Sequence, residues 1–262
     1  MTRMSNATTP DADAERRFGG LRRLYGDVGY GRIRAARVAV VGLGGVGSWA
    51  VEALARSGVA GLTLIDFDHV AESNINRQIQ ALGSTLGMAK GEALARRIAD
   101  IHPACRVDVV DAFAGADNWP ALLATPVDLV IDACDQLRAK LALAVWARAS
   151  GAPIVIVGAA GGKRLAQLVA TCDLADATHD PLLAALRQRL RKHHGAPKSG
   201  ALGLACVHSR EPVQRPLAAS GDACATDGSL NCHGYGSSVA VTAAFGMVAA
   251  GEALRLLSAQ PS

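Results

Sequence analysis

In the first part of the chain, short aliphatic runs alternate with longer stretches whose apolar positions recur at helical spacing. Arg37-Val-Ala-Val-Val-Gly42 reads as a strand, Trp49–Arg56 as a helix stopped by Gly58, and Gly61-Leu-Thr-Leu-Ile-Asp66 as the next strand. Met88–Ile101 carries apolar Met88, Leu94 and Ile98 and ends before Pro103, as a long helix should. Arg106–Val110, Val127–Ile131 and Pro153–Gly158 supply further strands, with a helix at Leu137–Ala149 between the last two. Aliphatic strands alternating with helices predict a doubly wound, mostly parallel α/β sheet covered on both faces, the Rossmann-like arrangement. Lys163–Ala170 reads as an edge strand that begins a less regular second half. Past Leu174, Pro181–His193 reads as a helix with a basic face, Gly195–Tyr235 as one long loop, and Val239–Leu257 as an apolar closing helix.

Composition narrows the class. With 50% apolar and 4% aromatic residues over 262 positions, one sizeable core is affordable and disorder throughout is excluded. The opening MTRMSNATTPDADAERR has no apolar segment or cleavage site of a secretory signal and reads as a disordered leader over residues 1–15. The closing apolar run is broken by Thr242, Glu252 and Arg255, so a core or interface helix is expected rather than a membrane span. None of the six cysteines forms a CxxC pair, which argues against a tetrahedral zinc site and for reduced thiols in a cytoplasmic protein. A net charge of +4 permits a basic patch without demanding one.

The chemistry concentrates where the first strand turns into a helix. Gly42-Leu-Gly44-Gly45-Val-Gly47-Ser48 contains GxGxxG in that context, where glycines allow close backbone approach and helix N–H groups face an anion. Asp66 ends the second strand, placed to accept ribose hydroxyls. A nicotinamide enzyme would share these features, and a turn without ligand is the bland alternative. The run Asp66-Phe-Asp68-His-Val-Ala-Glu-Ser-Asn74-Ile-Asn76-Arg77-Gln78 favours a triphosphate instead, since it gathers carboxylates, amides and a guanidinium that a dinucleotide does not need. Lys90 at a helix start adds positive charge suited to the α-phosphate. Asp132 and Asp135 follow a strand at the ligand-binding sheet edge; Asp135 is a candidate magnesium ligand, with a helix N-cap as its alternative role.

These motifs together resemble the adenylating domain of the family of ubiquitin-activating, thiamine- and molybdopterin-biosynthesis enzymes. The resemblance spans about Arg16 to Gly158. It implies a nucleotide-binding domain over 16–170, with 171–262 as an extension packed on the same core. It also implies ATP and magnesium as cofactors, ribose binding by Asp66, phosphate contacts from Asn74, Arg77 and Lys90, and metal binding by Asp135. Gln136 departs from the asparagine more usual at that position. Arg17, before Phe18-Gly-Gly-Leu-Arg-Arg-Leu-Tyr25, matches an N-terminal arginine that in this family reaches the γ-phosphate across a dimer, so a homodimer is expected.

The RRFGGLRRLYG opening, Asp180-Pro-Leu182 before a basic helix, and Cys232-His-Gly-Tyr-Gly-Ser look like the branch that dehydrates threonylcarbamoyladenosine in tRNA. That implies modified tRNA as substrate, activated as an acyl-adenylate and closed to a ring by intramolecular attack, which needs no enzyme nucleophile. Adenylation of a ubiquitin-like sulfur-carrier protein is the alternative, and a cysteine-desulfurase or sulfur-acceptor partner is a further expectation. Arg187–His194 with Lys198 is a candidate tRNA grip, a solvated helix face being the plain alternative; Lys163 and Arg164 are weaker candidates, and Trp119 and Tyr235 the nameable aromatics. Cys232 reads as a structural thiol, and Gly234 and Gly236 as a tight turn or a carbonyl-lined site for a monovalent cation.

Overall fold

The computed structural model describes residues 13–214 and 235–259. Seven strands form one sheet in the order β3-β2-β1-β4-β5-β7-β6. They are β1 (Arg37–Val41), β2 (Gly61–Ile65), β3 (Arg106–Val110), β4 (Leu129–Asp132), β5 (Ile154–Val157), β6 (Val169–Asp173) and β7 (Ala205–Ser209). Pairing is parallel except between β6 and β7. The helices are α1 (Ala14–Phe18), α2 (Arg22–Ala35), α3 (Gly47–Arg56), α4 (Lys90–Ile101), α5 (Leu137–Ser150), α6 (Pro181–His193) and α7 (Val239–Ser258).

The period-two geometry of the strands splits the core into two layers. Val38 and Val40 of β1 face one way, packing with Leu54 of α3, Leu94 of α4 and Phe245 of α7. Ala39 and Val41 face the other way, towards Leu143 of α5 and Leu186 of α6. Both faces are therefore covered, which is why β1, β2, β4 and β5 are buried along nearly all their length and mostly aliphatic. The closing helix α7 belongs to the first layer. It reaches van der Waals contact with α3 at Gly246, where a Cβ would lie 2.5 Å from the Val46 carbonyl oxygen and 2.9 Å from the Ala50 nitrogen.

Three expectations need correction. The span 195–235 is not one loop, because it contains β7, inserted between β5 and β6. Its sequence, Ala-Cys-Val-His-Ser, lacks an aliphatic signature, and its polar members are buried by pairing on both sides. His208 is 4% exposed and its Nδ1 lies 3.1 Å from the Thr178 carbonyl. The edge strand falls at Val169–Asp173, not Lys163–Ala170; Lys163 is buried and donates to the carbonyls of His179 and Glu211 at 2.9 and 2.6 Å, so it is no RNA candidate. Helical structure begins at Ala14, inside the expected leader, with Asp13 accepting from the backbone N–H groups of Glu15 and Arg16. The rest of the leader, residues 1–12, lies outside the described residues, as do Cys224, Cys232 and Gly234.

Candidate active site

The strand order reverses direction at β1, which pairs with β2 on one side and β4 on the other. Open α/β sheets bind ligands at the carboxyl ends of strands at such a switch point. A cavity of about 360 Å³ opens there, lined by the last residues of β1 and β2 and by the segments that follow β1, β2, β4 and β5.

The glycine turn forms its first wall. Gly42 has φ +86°, and a Cβ on it would lie 2.8 Å from the Cys134 nitrogen and 2.9 Å from the Ala133 carbonyl carbon. Gly42, Gly44 and Gly45 line the cavity. Gly47 does not: a Cβ there would overlap the Gly42 carbonyl, so this glycine closes the turn and has a packing role. Ser48 is likewise fully buried in the first turn of α3, outside the lining, and its hydroxyl has no partner among the described residues.

Asp66 anchors the second wall. One carboxylate oxygen accepts from the Leu43 N–H at 2.6 Å and the other from the Asp68 N–H at 2.8 Å. Each oxygen has further lone-pair capacity, so the group can hold the turn and still receive hydroxyls from the cavity. The following loop folds back on itself: Val70 N–H donates to the Met88 carbonyl and Lys90 N–H to the Asp68 carbonyl. This closure carries the buried Lys90 to Asp68, with Nζ to Oδ2 at 2.7 Å.

Within the loop, Asn74 accepts from the Ala71 N–H at 3.1 Å, which shapes the turn and leaves its amide NH₂ for other partners. Arg77 is 9% exposed. Its guanidinium donates to the Ser73 carbonyl and the Asn76 side chain. The Arg77 carbonyl is held in turn by the Trp49 indole N–H at 3.0 Å and the Thr242 hydroxyl at 3.3 Å, so α3 and α7 together fix the segment. Gln78 accepts from Gln80, whose amide also donates to the Leu43 carbonyl.

The third wall follows β4. Asp135 lines the cavity, is exposed, and makes no side-chain hydrogen bond among the described residues; α5 has Gln136 at its N-cap, without a side-chain cap bond. The capping role considered for Asp135 is thus not the one it plays. Asp132 does not line the cavity. It is fully buried and paired at 3.1 Å with Lys140, also fully buried. Burial alone would lower the Lys140 pKa, and its neighbours, the Asp132 carboxylate foremost, together raise it above the ordinary value and hold the ammonium charged. Cys134 on the cavity floor donates to the same carboxylate at 2.9 Å; burial, then Asp132, pushes its thiol well up, so it is no nucleophile.

Sequence reasoning missed Cys134, Lys140, Thr242 and the Gly158–Gly161 backbone that completes the lining. It also missed the exposed pair Phe67 and Phe113, with ring centroids 5.3 Å apart, of which Phe113 lines the cavity. Trp119, by contrast, is buried edge-on against Trp146 and offers no stacking face to a base. Arg17 is not brought to this cavity in its own chain: its guanidinium caps the end of α4, donating to the carbonyls of Asp100 and Ile101 at 3.1 and 2.6 Å.

Residues at the N-terminal ends of four helices enter the lining: Val46 before α3, Lys90 in α4, Gln136 before α5 and Leu182 in α6. Unpaired N–H groups and aligned peptide dipoles make each such end attractive to anions, and Lys90 and Arg77 add full charges. Fold and cavity define a class: a doubly wound α/β protein with a site for a nucleotide polyphosphate.

The comparisons narrow that class. The ThiF family model matches residues 19–262. The chain is 43% identical over 253 residues to the tRNA threonylcarbamoyladenosine dehydratase of Escherichia coli (strain K12), covering 93% of this chain and 94% of that protein. It is 38% identical over 238 residues to the Haemophilus influenzae protein of the same description, 90% of each being covered. The E. coli tRNA N6-threonylcarbamoyladenosine dehydratase solved in complex with ATP matches with a TM-score of 0.83 at 42% identity, over 93% of this chain and 94% of that one. This chain belongs to the ThiF family.

Proposed function

We propose that this protein uses ATP to dehydrate threonylcarbamoyladenosine in tRNA to a cyclic product, by way of an acyl-adenylate. The observation that carries the reading is the joining, in one cavity, of the glycine turn, Arg77 and Lys90, and an unpaired Asp135. The near full-length similarity to two proteins described as tRNA threonylcarbamoyladenosine dehydratases supports the substrate.

In the first step a carboxylate oxygen of the threonyl group attacks the α-phosphorus, and the bond to the bridging oxygen of pyrophosphate breaks. Asp66 receives the ribose hydroxyls, while Asn74, Arg77 and Lys90 meet the phosphates. Charge builds on the phosphoryl oxygens in this step, where a buried ammonium at a helix N-terminus stabilises it most. In the second step the urea nitrogen or oxygen attacks the activated carbonyl, AMP leaves with the former carboxylate oxygen, and the urea N–H loses its proton. The attacker is tethered, so the enzyme need only exclude water and hold the geometry.

A magnesium ion suits this donor set. Asp135 is one free carboxylate facing a polyphosphate site, and magnesium takes one or two carboxylates and completes its shell with phosphate oxygens and water. When bound it would neutralise charge on the leaving pyrophosphate. A homodimer belongs to the same reading: a second copy would offer Arg17 to the γ-phosphate of its neighbour's site, in exchange for the α4 carbonyls it caps in its own chain.

The test is the mass of the modified nucleoside in tRNA treated with the purified protein, ATP and magnesium. Loss of one water, with AMP and pyrophosphate formed in equal amounts, is the expected result. An unchanged nucleoside refutes the assignment, and pyrophosphate exchange that requires a protein with a Gly-Gly tail would replace it with sulfur-carrier activation.

A further inference from the structure

The basic residues of this chain are not spread evenly. Between Gln136 and Arg210 there are eleven Lys and Arg residues against three Asp and Glu, a local excess of +8 in a protein whose net charge is +4. The rest of the chain is correspondingly acidic. Two of those three carboxylates are consumed internally. Asp173 accepts the backbone N–H groups of Ala175, Leu202, Gly203 and Leu204, and Asp180 those of Leu183 and Ala159. Of the eleven cations, only Lys140 and Lys163 are buried.

The fold gathers much of this excess on one layer. Helices α5 and α6 both start at the cavity, through Gln136 and Leu182. They run side by side away from it, since Arg148 near the end of α5 donates to the His194 carbonyl at the end of α6. Neither helix contains an acidic residue. Along α6, Ala184, Arg187, Gln188, Arg191 and Lys192 fall on one face and, with Lys198 from the next loop, line a shallow groove without a carboxylate. Arg187 and Arg191 are partly engaged, donating to the carbonyls of Leu174, Ala177 and Pro197, which fixes their guanidinium groups. Arg189, Lys192 and Lys198 are exposed and have no side-chain partner among the described residues.

We infer that the α5–α6 layer, and the α6 groove above all, is the surface that holds the tRNA backbone while the modified nucleotide enters the cavity beside it. This rests on the reading of the substrate as tRNA. From Leu182 to Lys192 is ten residues, about 15 Å along a helix, a span that a few consecutive phosphates of a single-stranded loop can follow. Asp180 registers groove and cavity: its carboxylate caps α6 through Leu183 and also holds Ala159 of the cavity wall.

The experiment compares Arg189→Glu/Lys192→Glu/Lys198→Glu with the parent protein and with Arg96→Glu/Arg106→Glu, exposed cations on α4 and β3 at the other end of the sheet. Affinity for tRNA is measured across a salt series, alongside ATP affinity and thermal unfolding. The α6 variant should lose at least about tenfold in tRNA affinity near physiological salt, and its log–log salt slope should fall by about 2. ATP affinity and melting temperature should match the parent, and the α4/β3 variant should bind tRNA normally. Parent-like tRNA binding by the α6 variant overturns the inference, as does equal weakening by both variants. Binding by the parent to anionic vesicles but not to tRNA overturns it as well. A parent that binds tRNA but leaves the nucleoside mass unchanged refutes the proposed reaction while leaving the surface standing.

Discussion

Replacing Lys140 by Met tests whether the floor of the cavity depends on a buried ion pair. Lys140 and Asp132 are both fully buried, and their charged atoms lie 3.1 Å apart. At an effective dielectric constant of about 20 their attraction is on the order of 5 kcal/mol, which opposes the cost of taking both groups out of water. Removing the ammonium leaves Asp132 buried without its counter-ion, with Oδ2 already lacking a partner among the described residues. Breaking one side of such a pair costs about 3–5 kcal/mol. Neutralising both sides, in Lys140→Met/Asp132→Asn, should cost much less than the two single changes added together, because Asn keeps the acceptor that Cys134 uses. Equilibrium unfolding in denaturant measures all four corners of the cycle, and ATP titration follows the site. Gly42 rests against the Ala133–Cys134 backbone that the pair anchors, so Lys140→Met should also weaken ATP binding. A penalty below about 1 kcal/mol for Lys140→Met, or strict additivity in the cycle, would refute this account.

Three further outcomes are expected. Gly246→Ala forces a methyl group into the α3 backbone and should destabilise by about 1–3 kcal/mol, whereas Gly251→Ala on the open side of the same helix should stabilise by up to about 1 kcal/mol; calorimetry of both variants decides, and equal signs would sink the packing argument. Lys90→Ala should slow ATP–pyrophosphate exchange by about 10²–10³ while the protein stays folded, because Asp68 then faces the phosphates uncompensated; an exchange rate close to the parent's would remove Lys90 from the chemistry. Burial, then the charges of Arg34 and Arg17, holds the pKa of His102 below its ordinary value. The neutral ring is thus the folded form: its contribution to stability is full above about pH 6.5 and is lost as pH falls through the depressed value. The melting temperature should drop over that acid range and His102→Gln should flatten the drop, which a pH series of melting curves checks.

The central strands announce themselves because both of their faces are buried. The strands β1, β2, β4 and β5 are covered by helices on either side, so their residues are nearly all buried and mostly aliphatic. β7 is equally buried yet illegible, because pairing on both edges and bonds to neighbouring carbonyls let His208 and Ser209 occupy interior positions. Helix α2 was hidden for a different reason: Gly26, Gly29 and Gly31 dilute its pattern, and its stability comes from packing on α7, more than two hundred positions away in sequence.

The candidate site divides along the same line. Asp66, Asn74, Arg77 and Lys90 lie on one βαβ unit, where spacing along the chain translates into proximity, and they do meet in the cavity. Thr242 reaches the Arg77 carbonyl from the far end of the chain, out of an apolar helix in whose sequence a lone threonine gives no hint of its use. Asp132 and Asp135 look interchangeable in sequence, and the difference between them is Lys140, placed in the first turn of α5 to neutralise the carboxylate that faces inwards. The pair settles which aspartate is structural and leaves the other free at the mouth of the cavity. A motif can nominate two carboxylates, but burial and a counter-ion decide which of them is available for chemistry.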